Sequence, residues 1–437
     1  MKTILKQLIV VALLLPTLAN AQLQARRDIN DAYFTNTDRA TLANLIMQYI
    51  TPEIIEDHCA FTSIQFGLDI HDAVNFLPFH RLYVEGLEDF LLEEGYPKFV
   101  PLPGWDPQYS IPTAFRIYNH NACFAATCVD GPHPTKIPTK ACVSPLFNDP
   151  FKGWNLTLNV SVNYTIPLIC TAFTSEADFS SQLNATPHGQ GHAGIGEVMA
   201  NFRSPAAPIF WLWHAYLDDI WKLRQCNCPT VSTQQDLYVK DTPKIVETER
   251  DVGDEPNSDT GPMWDSRDIW VRHIDDNKFK HQKPKYVNGS TNRVYVRVRN
   301  RGCSASSSTD KLYLYWSKAN TLLEWPNYWN ASTSSPLIMG DIIGTASIPI
   351  IEPGSSAIVE LDWAVPNPDD YAAVSSNPIF ISPNDPYKFV LVSSIVSTNE
   401  PTGALTSVIY DNVKNKNNLA MREVELQCNS SATLFSN

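Results

Sequence analysis

Clusters of Lys and Arg are absent from this 437-residue chain, and a formal charge of −13 leaves no basic stripe for a phosphate backbone, whose binding draws on released counterions. Charge of either sign is sparse, 18% of residues against 43% hydrophobic, which excludes a disordered chain. Beyond the N-terminus no apolar run is long enough to span a bilayer, and no two-pair CxxC pattern marks a zinc site. Histidine is scarce as well, ten in all, so where it clusters is informative.

The start, MKTILKQLIVVALLLPTLANA, has Lys2 and Lys6, an apolar run from Leu8 to Leu15 and the small-residue site Ala19-Asn20-Ala21. This pattern predicts a cleaved signal peptide over residues 1–21 and a secreted or periplasmic protein. Export permits disulfides, so the nine cysteines read as staples; an odd count leaves at least one unpaired within the monomer. Cys123, Cys128, Cys142 and Cys170 are expected to staple the Pro-rich connections of residues 97 to 170.

Length predicts more than one core. Residues 22–229 alternate helical patterns with long loops and hold eight of the histidines; residues 230–265 are polar and read as a linker; residues 266–437 turn to a period of two. Val294, Val296 and Val298 alternate with Tyr295, Arg297 and Arg299, and "DKLYLYW", "SAIVELDW" and "YKFVLVSSIVS" follow, the outline of an all-β sandwich.

Helix starts place the histidines. Thr51-Pro52 opens a helix through His58; Pro78 is tolerable only in a first turn, so His80 is helical while His71 precedes its helix. In "ATPHGQGHAGIG", Thr186 and Pro187 open a helix that puts His188 and His192, four apart, on one face. Pro208 opens another, on which His214 shares a face with Leu217, Asp218 and Trp221 among aromatic neighbours. An imidazole there must find a partner for each ring nitrogen, and a metal satisfies one. All-nitrogen ligand sets suit copper, with zinc the competitor.

These segments resemble the type-3 copper proteins, that is tyrosinases, catechol oxidases and haemocyanins. The stretch "HDAVNFLPFHRLY" with Glu88 is similar to the family's first-copper segment and carries His71 and His80; "HCAF" resembles the plant-type segment and carries His58. His188, His192 and His214 match the second-copper pattern, with Phe210, Asp218 and Trp221 on its companion positions. The resemblance implies a helical catalytic domain, a four-helix-bundle core around two copper ions, here followed by an Ig-like sandwich. It implies O2-dependent oxidation of a small phenolic substrate, an o-diphenol or o-aminophenol, to the quinone or quinone imine. No nucleic acid, membrane span or further cofactor is called for, and a partner of the β domain is not identified.

The chain departs from that family at positions bearing on substrate. Gly189 follows His188 where many tyrosinases have Asn, and Asn184 stands where plant-like members have Glu, so activation of a monophenol looks weaker, unless Glu197, Glu176 or Asp178 folds back to replace the carboxylate. Thr62 removes the cysteine that forms a thioether in plant relatives, Cys59 reads as a disulfide partner, and Trp213 replaces the usual His before the last ligand. An alternative reading is an oxygen-binding or adhesion protein with an inert copper pair. The β domain could shield the site with a plug from Tyr295, Tyr313 or Trp316, though strand aromatics more often pack across the sheet.

Overall fold

The structure is a computed structural model that describes residues 26–52, 54–55, 58, 70–116, 170–173, 175–200, 202–228, 234–242, 253–257, 263–276, 278–319, 324–332, 337–372 and 385–427. The signal-peptide segment, Cys59, Thr62, Cys123, Cys128 and Cys142 lie outside the described residues. Helices come first and strands after, and no described helix is long and apolar enough to cross a membrane.

Helix α1, Asn36–Tyr49, begins at a reciprocal cap in which Thr35 Oγ1 accepts from Asp38 N and Asp38 returns a carboxylate to Thr35 N. Thr51 starts the turn toward His58, its Oγ1 accepting from Ile54 N at 3.4 Å. Helix α2, Phe76–Glu93, follows an Asp72 turn whose carboxylate accepts from Val74 N and Asn75 N, so the chain breaks between His71 and His80 as the proline requires. Gly95 closes α2 with φ +84°, where Gly95 N reaches Leu92 O and Tyr96 N reaches Leu91 O. Helix α3, Glu176–Leu183, runs into a π turn, Asn184–Gly189, then α4, Gln190–Ile195. Helix α5, Pro208–Asn227, opens at its proline. Phe76, Phe79, Leu87 and Leu91 of α2 share a core with Ile209, Phe210, Leu212 and Trp213 of α5.

The strands form two antiparallel four-stranded sheets. In the first, β3 (Asn292–Asn300) is central, pairing with β1 (Leu237–Tyr238) and β2 (Ile269–Arg272), and also with β6 (Ser356–Trp363). The second runs β5 (Gly340–Ser347), β4 (Lys311–Lys318), β7 (Lys388–Val396), β8 (Leu419–Glu425). Helix α6, Ile409–Asn415, precedes β8. Val294, Val296 and Val298 meet Leu312, Leu314, Phe389 and Leu391 in one apolar core, as the alternation predicted.

The linker expectation changes. The polar stretch 230–265 is not a bare linker, because Leu237–Tyr238 adds to β3 and Lys240 is fully buried. Its short strand has too few residues to show a period. The tyrosines and tryptophan offered as a plug pack within the sheets: Tyr295 stacks on Trp270 and donates to Asp275, Tyr313 stacks with Tyr315, and Trp316 meets Phe389.

The outer face of β3 explains its charged alternation. Arg297 and Arg299 are buried because they face α2: Arg297 pairs with Asp89, and Arg299 grips Asp268 at 2.7 Å while approaching Glu85. Lys240 Nζ donates to Glu85 at 2.5 Å, and Arg267 reaches Glu85 and Asp89. Just past β3, Cys303 is bonded to Cys226 of α5. Cys170 joins Cys228 rather than the loop cysteines it was grouped with, since the turn before α3 lies against the end of α5.

Candidate metal centre

Four segments bring six imidazoles together. His58, His71 and His80 each offer a ring nitrogen within 4.8 Å of the others, and so do His80, His188 and His214. His192 joins the second group through Nε2, 3.4 Å from His214 Nε2, with its ring 4.4 Å from that of His188. The sequence drew two separate trios; the structure has His80 in both groups, its ring stacked on His214 at 4.2 Å and 10°. Among the described residues no carboxylate enters either group.

Local structure aims each ring. His80 Nδ1 lies 2.7 Å from Phe76 O, one helical turn back, and His188 Nδ1 lies 2.9 Å from Asn184 Oδ1. His58 Nδ1 meets Phe202 O at 2.8 Å and His192 Nδ1 meets Met199 O at 2.6 Å. A carbonyl only accepts, so each of these Nδ1 atoms carries the hydrogen and each Nε2 keeps its lone pair. Thr186 leaves helical geometry (φ −147°, ψ 116°), so the helix restarts at Pro187 and both His188 and His192 turn inward.

The electrostatics agree. Burial first, and neighbouring imidazoles second, push His58, His80, His188 and His214 well below the ordinary 6.5; burial takes His192 to about 4. All are neutral at pH 7, the state a metal requires. His58 Nε2, His80 Nε2, His188 Nε2 and His214 Nδ1 are buried without a hydrogen-bond partner, a cost the protein would not otherwise carry. Neutral, convergent, unpartnered nitrogens fit a pair of metal ions.

Aromatic rings wall the centre. Phe76 lies 4.8 Å from His80 and 4.6 Å from His188, and Phe210 lies 4.2 Å from His214 and 5.4 Å from His58. Gly191 is required by the indole of Trp213, since a Cβ there would stand 2.7 Å from Cζ2. Asp218 does not touch the imidazoles; it pairs with Arg81 at 2.5 Å and Arg26 at 2.9 Å, while Arg26 also holds Glu88. Arg81 lies over the Trp221 ring at 3.8 Å. These contacts lock α2 to α5 behind the ligands. A Cβ at Gly189 would stand 3.3 Å from Asn184 O.

Sequence reasoning missed several partners. Phe76 stands four residues before His80, a spacing that was legible, as it was for Asn184, which the sequence had singled out four residues before His188. Met199, in a short 3-10 turn over Glu197–Ala200, and Phe202, just after it, left no signal, and Arg26 stands in no recognisable motif. Glu176, considered as a replacement carboxylate, is taken up by Arg224 and Trp221 and is half-exposed. Asp178 begins α3 with its backbone N donating to Ser175 Oγ, and the Glu197 side chain lies outside the described residues.

The model for the common central domain of tyrosinase matches residues 43–172 and 167–227. Over 173 residues the chain is 27% identical to the G-type hemocyanin, units Oda to Odg, of Enteroctopus dofleini, covering 36% of this chain and 6% of that protein. The chain therefore spans a small part of that curated relative's length. A crustacean hemolymph-type prophenoloxidase structure is 13% identical at a TM-score of 0.22, covering 57% of this chain and 43% of that one. The CARDB domain of a Pyrococcus furiosus protein is 11% identical at 0.18, covering 37% and 88%. Both structural likenesses are too faint to bear on the fold. Residues 43–227, the part that carries all six convergent histidines, are thus similar to the central domain of tyrosinase and, over 173 residues of the chain, to a hemocyanin.

Proposed function

We propose that the protein is an exported copper oxidase that takes electrons from o-diphenols, or from o-aminophenols of the same shape, and passes them to O2. The supporting observation is six convergent imidazoles, five of them held neutral at pH 7 and four with a buried ring nitrogen that has no hydrogen-bond partner, with no described carboxylate in either group. The balanced reaction turns two diphenols and one O2 into two o-quinones and two waters. Two copper ions, one on His58, His71 and His80 and one on His188, His192 and His214, supply O2 binding and the electron transfer. The helices bearing these ligands are then a four-helix bundle, and the β part an Ig-like sandwich, with domain limits at residues 22–229 and 266–437. The N-terminal apolar segment is the basis for export.

The chain's own work is orientation. Carbonyl oxygens hold four Nδ1 atoms, so the rings keep one direction without reorganising as charge moves. Phe76 and Phe210 exclude water from the inner side. His71 is half-buried, and the half-exposed Phe202 ring lies 6.2 Å from it, an open aromatic rim against which a phenolic ring stacks.

A monophenol loses its proton only near pH 10 and so needs a base at the rim. Asn184 and Gly189 provide none, and Glu176 is held elsewhere, which favours diphenol oxidation over monophenol hydroxylation. The test is O2 consumption by copper-loaded protein with catechol, o-aminophenol and phenol in parallel. Catechol should consume one O2 per two molecules, phenol should react at least about tenfold more slowly, and His188→Ala should abolish both. Reversible O2 uptake without quinone from any substrate would replace this reading with an oxygen carrier, the alternative that the hemocyanin relative favours. Zinc in both sites of the native protein would reject copper.

A further inference from the structure

The Asn184 side chain hydrogen-bonds to a histidine of each group. Its Nδ2 donates to the backbone carbonyl of His71 at 2.5 Å, and its Oδ1 accepts from His188 Nδ1 at 2.9 Å. The amide has a single possible orientation: the His71 carbonyl has no hydrogen to give, so the NH2 must face it and the oxygen must face the imidazole. His188 is thereby fixed with its hydrogen on Nδ1 and its lone pair on Nε2, which is buried, without a hydrogen-bond partner and directed among the other ligand nitrogens.

The same contact ties the backbone on which His71 rides to the ring of His188. These two rings face one another at 5.6 Å and 26°, one from each metal trio. The π turn makes the reach possible: Asn184 precedes the break at Thr186, so its side chain lies between the turn before α2 and the restarted helix. A carboxylate could not replace it. Asp or Glu would still accept from His188, but would set two acceptor oxygens against each other at His71 O.

We propose that Asn184 is a positioning residue that sets the separation and relative tilt of the two metal trios through His71 and His188. The proposal rests on the reading of this centre as a dimetal oxidase, and its test is chosen to stand apart from turnover. Two substitutions divide the function: Asn184→Asp removes only the donor to His71, and Asn184→Ala removes both side-chain contacts and leaves His188 Nδ1 only the backbone Asn184 O at 3.2 Å. Copper per chain and affinity against a competing chelator are measured for each, together with the visible spectrum of the cobalt(II)-substituted protein and kcat and KM for catechol.

Asn184→Ala is expected to weaken metal binding at the second trio by about 10- to 100-fold while the first trio fills normally, as loss of a ligand's outer partner typically does. Asn184→Asp is expected to hold both metals within a few-fold of wild-type affinity, to change the cobalt spectrum, and to lower kcat at least about tenfold with KM little altered. Wild-type affinity and spectrum in both variants overturn the proposal, as does equal weakening at both trios, which would mark a general loss of structure. If the wild type binds two metals but oxidises no phenol, the functional reading fails, while the affinities and the cobalt spectra still decide the role of Asn184.

Discussion

Glu85 is the anion on which the junction between α2 and β3 is centred, and replacing it with glutamine should cost the protein several kcal/mol. Its carboxylate stands 2.5 Å from the fully buried Lys240 Nζ, 3.6 Å from Arg267 and 3.9 Å from Arg299. Burial alone would raise its pKa; Lys240, Arg299 and Arg267 outweigh that and bring it down from 4.5 to about 2. At about 1.4 kcal/mol per pH unit, that difference is worth about 3 kcal/mol. Removing one partner of a buried pair independently suggests about 3–5 kcal/mol, because the remaining ammonium keeps its desolvation cost.

The pH dependence has a definite sign. A carboxyl whose folded pKa is depressed stabilises above its unfolded value, near 4.5, and that contribution fades as pH falls toward 2. Urea unfolding of wild type and Glu85→Gln should therefore differ by about 3 kcal/mol at pH 7 and by clearly less at pH 3. High salt should change the difference little, since the pair is shielded from solvent. A gap below about 1 kcal/mol at pH 7, or one that does not shrink on acidification, would refute the assignment of Glu85 as the anion of this junction.

Gly191→Ala should lower the thermal midpoint despite alanine's better helix propensity. The added methyl meets an indole already held edge-on by Trp105 and stacked on Tyr216, so overpacking of about 1–3 kcal/mol exceeds a gain of about 1 kcal/mol; a raised midpoint in differential scanning fluorimetry would contradict this. Replacing Cys226 and Cys303 together by serine should cost about 2–4 kcal/mol and let the helical and β parts unfold at separate urea concentrations; a single transition at the wild-type midpoint would show that the bond is not what couples them.

Much of the centre was legible because the chemistry forces local signals. Proline can stand only at a helix start, so Pro78, Pro187 and Pro208 located three of the breaks that turn His80, His188 and His214 inward. The valine alternation of β3 announced the sheet core in the same way. What did not show was contact across sequence distance. The alternation gave no sign that Arg297 and Arg299 are buried on Asp89 and Glu85, more than two hundred residues earlier. Leu237–Tyr238 looked like linker because two residues carry no period. The carbonyls of Met199, in a short 3-10 turn, and of Phe202 hold ligands through backbone alone, where any side chain would serve.

The joint at β3 limits how the protein can be divided. A fragment ending at Cys228 would keep all six convergent imidazoles yet leave Glu85 and Asp89 facing water and Cys226 as a lone thiol at the end of the helix that bears His214. Anyone trimming the chain to a minimal catalyst would need to redesign that surface first, with neutral residues at positions 85 and 89 and serine at 226.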